Sequence, residues 1–130
     1  MKKSAILCVD DEKIVLDSLR EQLRKYFKDS HHLESAESVQ EALEVIDEME
    51  SSGISLIVIV SDWLMPGVKG DEFLIQLHGK YPDITKILLT GQADPDAIKR
   101  AEENIDLYSL IHKPWNELEL IEAVKKGIEP

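Results

Sequence analysis

Acidic side chains stand directly after two apolar segments of the sequence. Asp10 and Asp11 follow residues 5–9, and Asp62 follows residues 56–61. Carboxylates that lie close together repel one another and raise one another's pKa unless a cation neutralises them. A hard divalent ion such as Mg²⁺ prefers oxygen ligands, typically one or two carboxylates together with waters and phosphate oxygens. If the fold brings these segment ends together, the residues predict a magnesium site.

A hydroxyl and an amine lie at the ends of two further apolar segments. Thr90 closes residues 86–90, and Lys113 follows residues 107–112. Beside a cation, one carboxylate can act as a nucleophile toward phosphorus, as aspartate does in ATPases that form an aspartyl phosphate. The threonine and the lysine would then bind the phosphoryl oxygens and spread the charge of the transition state. Zinc and copper fit less well, because His112 is the one histidine or cysteine at these segment ends.

The elements that would position these residues alternate regularly along the chain. Short apolar segments typical of buried parallel strands predict strands at 5–9, 32–36, 56–61, 86–90 and 107–112. Helical spacing predicts helices at 13–27, from Ser38 up to Ser51-Ser52-Gly53, and at 71–80, 94–103 and 116–128. Alternation of strand and helix predicts an α/β fold with a parallel sheet and helices on both faces. In such a sheet, ligands bind at the carboxyl ends of the strands.

Apolar residues at helical spacing predict which face of each helix is buried. The predicted set is Leu16, Leu19, Leu23 and Tyr26 on the first helix, Leu43, Ile46 and Met49 on the second, and Leu118, Ile121 and Val124 or Lys125 on the last. Ser38 with Glu41 three residues later predicts a capping box. Segment 56–61 is rich in β-branched residues, so we expect it at the centre of the sheet. Cys8 is expected to be a small buried core residue.

Length and composition predict one globular domain over residues 1–130. Of the 130 residues, 43% are hydrophobic and 32% charged, which suits a single packed core. The net charge of −11 argues against direct binding to nucleic acid, whose affinity comes largely from Lys and Arg contacts to phosphates. The apolar run 54–60 is far shorter than the roughly 20 residues of a membrane span. We therefore predict a cytoplasmic domain that neither spans a membrane nor binds nucleic acid directly.

The combination of these motifs resembles the response regulator receiver family of two-component signalling, the family of the chemotaxis receiver. The resemblance covers essentially the whole chain. It rests on Asp10-Asp11, on Asp62 followed by Met65-Pro66 and Gly70, on Leu89-Thr90-Gly91, and on Lys113-Pro114. Each motif alone is common, but all of them together, in this order at strand ends, are specific. The resemblance implies a flavodoxin-like sheet with strand order 2-1-3-4-5 and a cis peptide bond between Lys113 and Pro114.

The resemblance also implies a role for each site residue. Asp62 would be the phosphoacceptor, and Thr90 and Lys113 would contact the phosphoryl group, helped by the backbone N–H groups of Trp63 and Gly91. The Mg²⁺ ligands would be Asp10 acting largely through water, Asp11, Asp62 and the backbone carbonyl of Leu64. The implied partners are a sensor histidine kinase or phosphotransfer protein, and a downstream effector or fused output domain. Such a domain is not an enzyme beyond its own phosphoryl transfer and slow autodephosphorylation.

One position departs from the family pattern. Many receivers carry an aromatic residue three positions before the lysine, where this chain has Leu110. Tyr108 lies two residues earlier, on the same face of an extended strand but one step away. Either Tyr108 substitutes for the usual aromatic residue or the coupling works without one.

Three other interpretations compete with this one. An Asp-Asp pair before a helix is often only an N-cap. A phosphatase of the haloacid dehalogenase type would need a second aspartate two residues after the nucleophile, and Leu64 occupies that position. A pure interaction module would have kept the fold and lost the chemistry, yet none of the residues that the chemistry requires is missing from the sequence.

Overall fold

The computed structural model describes residues 4–28, 30–62, 76–77, 79, 81, 84–90, 96, 99 and 107–128, and only the backbone at 90, 107–110 and 112. The strands are β1 (Ser4–Val9), β2 (His32–Ala36), β3 (Ser55–Asp62), β4 (Thr85–Thr90) and β5 (Leu107–His112). The helices, numbered in chain order, are α1 (Lys13–Phe27), α2 (Val39–Ser51) and α3 (Glu117–Ile128). All five predicted strands are therefore confirmed, with bounds that differ from the prediction by no more than one residue at either end.

The strands form one parallel sheet in the order β2-β1-β3-β4-β5, as predicted. Strand β3 pairs with β1 on one side and with β4 on the other, and Val58, Ile59 and Val60 are fully buried. A strand covered on both faces cannot present polar side chains to water, which explains its continuous apolar sequence. The predicted central position of this strand is confirmed.

Side chains of β1 alternate between two cores, one on each face of the sheet. Ala5, Leu7 and Val9 pack with residues of α2, whereas Ile6 and Cys8 pack with residues of α1 and α3. This alternation follows from the period of two in a strand. Cys8 is buried as predicted, and its burial raises the pKa of the thiol to about 12. At neutral pH the thiol is therefore protonated and inert.

Helix α1 buries Leu16, Leu19, Leu23 and Phe27. The prediction that Tyr26 completes this face was wrong, since Tyr26 is 48% exposed. Phe27 lies eleven residues after Leu16, which is close to three full turns, so it returns to the same face of the helix. The Tyr26 ring instead contacts the edge of Phe27 from outside.

Two further predictions of buried leucines were wrong. On α2, Ala42, Ile46 and Met49 are buried while Leu43 is 40% exposed. On α3, Leu118 is 64% exposed, and the buried residues are Leu120, Ile121, Ala123 and Val124. Leu118 precedes Leu120 by two residues, which places it about 200° around the helix axis. Val124 belongs to the buried face, and Lys125 is exposed.

The predicted start of α2 is confirmed. Ser38 is the N-cap residue, and its Oγ accepts a hydrogen bond from the Glu41 backbone N–H at 3.1 Å. The Glu41 carboxylate accepts from the backbone N–H of Glu37 rather than from that of Ser38. The hydrogen bond to the N-cap hydroxyl is therefore present, whereas the reciprocal bond of the predicted capping box goes to Glu37 instead of Ser38.

Two predicted helices lie mostly outside the described residues. Positions 76, 77 and 79 are helical within the predicted helix 71–80, and Leu77 is buried. Positions 96 and 99 are helical within the predicted helix 94–103. Among the described helices, none is both long enough and apolar enough to cross a lipid bilayer.

Gly127, in the last turn of α3, allows that turn to pack closely on the sheet. The Thr85 hydroxyl donates to the Gly127 carbonyl at 3.2 Å, and a Cβ at position 127 would lie 2.8 Å from the Thr85 Cγ2. We expect Gly127→Ala to lower the free energy of unfolding by about 1–3 kcal/mol in urea titrations, because the added methyl group overpacks this contact. Alanine otherwise favours helix over glycine, so intrinsic propensity predicts the opposite sign.

The Thr85→Ser background provides the matched control. Serine keeps the hydroxyl group and removes the clashing Cγ2, so Gly127→Ala should cost clearly less there. An equal loss of stability in both backgrounds would show that this contact is not the cause.

Candidate functional site

The register of the sheet brings the predicted acidic residues together. Val9 pairs with Ser61, so Asp10, the next residue after Val9, lies beside the end of β3, where Asp62 is the last residue. One carboxylate oxygen from each of Asp10, Asp11 and Asp62 lies within 4.8 Å of the others. The predicted convergence of the three acids is therefore found at the carboxyl edge of the sheet.

Asp10 is fully buried, and both of its carboxylate oxygens accept hydrogen bonds. Oδ1 accepts from the Glu12 backbone N–H at 2.8 Å, and Oδ2 accepts from the Lys113 amine at 2.9 Å. Helix α1 begins with Glu12 as its N-cap residue. The interpretation of the Asp-Asp pair as an ordinary N-cap is therefore wrong, because Asp10 orients the turn before the helix and Asp11 is exposed beside it.

The Lys113 amine bridges two of the three acids. Its Nζ lies 2.8 Å from Oδ1 of Asp62 and 2.9 Å from Oδ2 of Asp10. Lys113 follows β5, and 103 residues separate it from Asp10. The peptide bond between Lys113 and Pro114 is cis, as the resemblance implies.

Burial and the Lys113 amine shift the pKa of Asp62 in opposite directions. Burial raises the pKa of this carboxyl group above its ordinary value, the hydrogen bond from Lys113 opposes that increase, and the charges of Asp10 and Asp11 add to it. At Lys113, burial lowers the pKa of the amine, but the hydrogen bonds to Asp62 and Asp10 and the negative charges of these two residues together raise it by more, so the net shift of its pKa is upward. The amine therefore stays protonated at neutral pH.

The donor set fits a hard divalent cation. Three carboxylates and one ammonium group leave the cluster with two negative charges in excess, which is the charge that a divalent ion balances. Within the described residues the cluster contains oxygen donors alone, which favours Mg²⁺ over zinc or copper. Asp11 is exposed, so the cluster opens to solvent on one side.

Several predicted contributors lie outside the described residues. Trp63, Leu64 and Gly91 are among them, so the predicted metal contact of the Leu64 carbonyl and the predicted N–H donors remain predictions. Thr90 ends β4, and its backbone is paired with His112, which places it at the same edge of the sheet. The contact of its side chain with a phosphoryl group also remains a prediction.

At Leu110, the position that departs from the family pattern, the structure describes the backbone alone. Leu110 pairs with Leu88, and the register between β4 and β5 shifts between Lys86 and Ile87. Leu107 pairs with Lys86 and Ser109 with Ile87, so Tyr108 lies at this irregularity. The side chains of Tyr108 and Leu110 lie outside the described part of the chain, so both expected alternatives for Tyr108 stay predictions.

One contact near the site was missed by the sequence reasoning. The indole N–H of Trp115, two residues after Lys113, donates to Oε1 of Gln22 on α1 at 2.8 Å. A partly buried tryptophan needs a partner for its N–H, but nothing in the sequence pattern indicates Gln22, which is 93 positions away.

The fold and the acidic cluster define a doubly wound α/β protein with a candidate cation site at the carboxyl ends of its strands. The family model described as "Response regulator receiver domain" matches residues 6–125. The chain therefore belongs to the response regulator receiver family. Domains of this family serve two-component phosphorelay signalling rather than metabolic catalysis, and they bind Mg²⁺ at an acidic pocket.

Among curated proteins, the chain is similar to regulators that are longer than itself. It is 31% identical over 128 residues to the hydrogenase transcriptional regulatory protein HoxA of Cupriavidus necator, covering 98% of this chain and 25% of that protein. It is 30% identical to the transcriptional regulatory protein YvrH of Bacillus subtilis, covering 99% of this chain and 51% of that protein. The chain thus spans between a quarter and about half of these relatives.

Among solved structures, the signal receiver domain of an HD domain-containing protein from Pseudomonas fluorescens is similar, with a TM-score of 0.86 and 27% identity. The match covers 98% of this chain and 96% of that one. The similarity therefore extends over the whole fold and agrees with the match to the family.

Removing the Lys113 amine should show how strongly repulsion within the acidic cluster destabilises the fold. In buffer with a chelator, we expect Lys113→Met to lower the free energy of unfolding by roughly 2–3 kcal/mol in urea titrations, because two buried carboxylates lose their counter-charge. The loss is smaller than for a fully buried pair, since the Lys113 side chain is 19% exposed. Adding Mg²⁺ should recover part of it.

Lys25→Met is the matched control for this variant. It removes the same side chain from an exposed ion pair, between Lys25 and Glu117 at 3.7 Å, and should change stability little. Equal effects of the two variants would contradict the bridging role of Lys113.

The raised pKa of Asp62 predicts a pH-dependent stability difference. A carboxyl group with a higher pKa in the folded chain than in the unfolded chain binds its proton more tightly when folded, so its contribution to stability is lost as the pH rises through the folded pKa. Asparagine does not titrate. Without divalent cations, the stability of Asp62→Asn relative to the wild type should therefore increase from about pH 4 to about pH 7.

Urea titrations at several pH values measure this difference. A difference that stays flat, or that shrinks as the pH rises, would show that the Lys113 hydrogen bond outweighs burial at Asp62.

Proposed function

We propose that this chain is a single receiver domain over residues 1–130 that accepts a phosphoryl group on Asp62 with the help of Mg²⁺. The observation that carries the proposal is the Lys113 amine, 2.8 Å from the Asp62 carboxylate inside a cluster of three acids. An acidic cluster alone would suit many cation sites. An amine held against a buried carboxylate adds the second feature that phosphoryl transfer needs, a positive charge beside the acceptor.

Asp62 acts as the nucleophile in this mechanism. One of its carboxylate oxygens attacks the phosphorus atom of a phosphohistidine, the new O–P bond forms, and the P–N bond to the imidazole breaks. The imidazole leaves and takes up a proton, so the aspartyl phosphate and a neutral histidine result. Burial supports this role, because a poorly hydrated carboxylate at the end of a rigid strand is held ready for attack.

Lys113 changes partners during the transfer. Before the reaction its amine neutralises Asp10 and Asp62, and during the transfer it donates to an oxygen of the incoming phosphoryl group. Because its pKa is raised, the amine remains a cation throughout. The hydroxyl of Thr90, at the end of the neighbouring strand, is the proposed second donor.

Asp10, Asp11, Asp62 and the Leu64 carbonyl would hold the Mg²⁺ ion. When bound, the ion would neutralise the phosphate oxygens and lower the repulsion between them and the carboxylates. Asp10 has both oxygens engaged by Glu12 and Lys113, which supports a contact to the ion through water. Asp11 is exposed and supports a direct contact.

A sensor histidine kinase or a phosphotransfer protein is the proposed donor, and a downstream effector or a fused output domain is the proposed recipient of the signal. The relatives support both sides, since one is called a sensor kinase and others transcriptional regulatory proteins. The net charge of −11 supports signalling through proteins rather than direct contact with nucleic acid. The cytoplasmic location and the lack of any catalytic activity beyond the domain's own phosphoryl transfer and slow autodephosphorylation remain predictions.

Incubation with acetyl phosphate and Mg²⁺ tests the acceptor directly. We expect the intact mass of the wild type to increase by one phosphoryl group, because Asp62 supplies the nucleophile and the cation screens the approaching anion. Asp62→Asn should gain nothing, since its amide is not a nucleophile. Chelation of Mg²⁺ should prevent the gain in the wild type.

Asp47→Asn is a suitable control, because Asp47 is an exposed carboxylate on α2 away from the cluster. It should accept the phosphoryl group like the wild type. If the wild type gained no mass under these conditions, the chain would instead be an interaction module that has the receiver fold without its chemistry.

A further inference from the structure

The short segment that carries Lys113 is joined to helix α1 by a side-chain hydrogen bond. It comprises residues 113–116, between the end of β5 and the start of α3. Trp115 projects from it toward α1 and packs at the edge of the core that β1, α1 and α3 share. Its indole N–H donates to Oε1 of Gln22 at 2.8 Å.

The two ends of this segment are also fixed. On one side, Lys113 reaches Asp62 and Asp10 through its amine. On the other side, the Asn116 side-chain Oδ1 accepts from the Leu118 backbone N–H at 2.8 Å, and the Asn116 backbone carbonyl accepts from the Leu120 N–H at 3.1 Å. The indole between these ends sets where the segment lies relative to α1.

Helix α1 is connected to the acidic cluster from its other end. It starts at Lys13 directly after Glu12, whose backbone N–H donates to Asp10. The same helix therefore orients Asp10 through its start and holds the Lys113 segment through Gln22. A shift of the segment against α1 would change the distance between the amine and the two carboxylates that it bridges.

We propose that Gln22 and Trp115 are positioning residues for phosphoryl transfer, which hold the Lys113 amine against Asp62 by fixing its segment to α1. The inference rests on the proposed acceptance of a phosphoryl group by Asp62. Neither residue touches the reacting groups. Their effect comes through the placement of Lys113, and misplacement of a catalytic group by a fraction of an ångström slows a reaction measurably.

A pair of substitutions at Gln22 separates the hydrogen bond from packing. Gln22→Met keeps the length of the side chain and removes the acceptor, whereas Gln22→Glu keeps an acceptor oxygen. We expect the rate of phosphoryl acceptance from acetyl phosphate to fall roughly threefold to tenfold in Gln22→Met, the range of one neutral hydrogen bond. Gln22→Glu should retain most of the wild-type rate.

A second readout distinguishes positioning from general loss of structure. Mg²⁺ affinity depends on the three acids, so Gln22→Met should bind Mg²⁺ as tightly as the wild type or more tightly, because a displaced amine competes less with the cation. A loosened fold would weaken Mg²⁺ binding and phosphoryl acceptance together, and that result would overturn the inference.

The hydrogen bond itself can be observed by NMR. The Trp115 indole N–H resonance, assigned by its loss in Trp115→Phe, should exchange with solvent faster in Gln22→Met than in the wild type. In the Trp115→Phe background, Gln22→Met should have no further effect on the rate, because both changes remove the same bond. Additive losses would show that Gln22 acts by another route.

Glu117→Gln is the matched control on the same helix pair. This substitution weakens the exposed ion pair between Lys25 of α1 and Glu117 of α3. That ion pair does not involve segment 113–116. The rate of this variant should equal that of the wild type. If Gln22→Met also reacts at the wild-type rate, the positioning inference fails alone. If the wild type itself does not react, the proposed function fails first.

Discussion

Like charges that are buried together must be compensated, and this requirement shapes the carboxyl edge of the sheet. Asp10 and Asp62 are both removed from water, and they lie side by side because Asp10 follows β1 and Asp62 ends the neighbouring strand β3. The Lys113 amine between them supplies one positive charge. Because three acids face one amine, compensation stays incomplete, which is the charge balance that the proposed Mg²⁺ ion would complete.

The sheet makes this arrangement possible because its parallel strands all end at one edge. Apolar residues on alternate faces of β1 enter two separate cores, so the strand is held firmly from both sides. A close-packed interior of this kind resists small displacements. The two buried acids, Asp10 and Asp62, are therefore held close together despite their repulsion.

The repulsion between the acids links the stability of the fold to the binding of a cation. A cation that binds the folded chain and not the unfolded one stabilises the fold by mass action. The same repulsion that would lower the stability of the cation-free domain would therefore increase its affinity for the proposed ion. The hydrogen bond between Trp115 and Gln22 joins the segment of Lys113 to α1, the helix that begins beside Asp10. It therefore connects the two parts of the chain that carry the amine and one of the acids.

The order of the strands in the sheet followed from the resemblance to the receiver family. The sequence alone also determined the positions of the strands and the identity of the acids and the lysine that meet at the sheet edge. These followed because strand periodicity is local and because parallel strands place their ends together whatever the details of packing. Helical spacing also predicted most of the buried helix residues, and the tertiary structure decided the remaining positions. Phe27 rather than Tyr26 and Leu120 rather than Leu118 face the core, because neighbouring apolar residues compete and the sheet selects one face.

Contacts between distant residues also depended on the tertiary structure. The amine of Lys113 reaches the Asp10 carboxylate across 103 positions of the sequence. The bond from Trp115 to Gln22 spans 93 positions. No local pattern encodes such pairs, because they arise only when packing brings two elements to hydrogen-bonding distance.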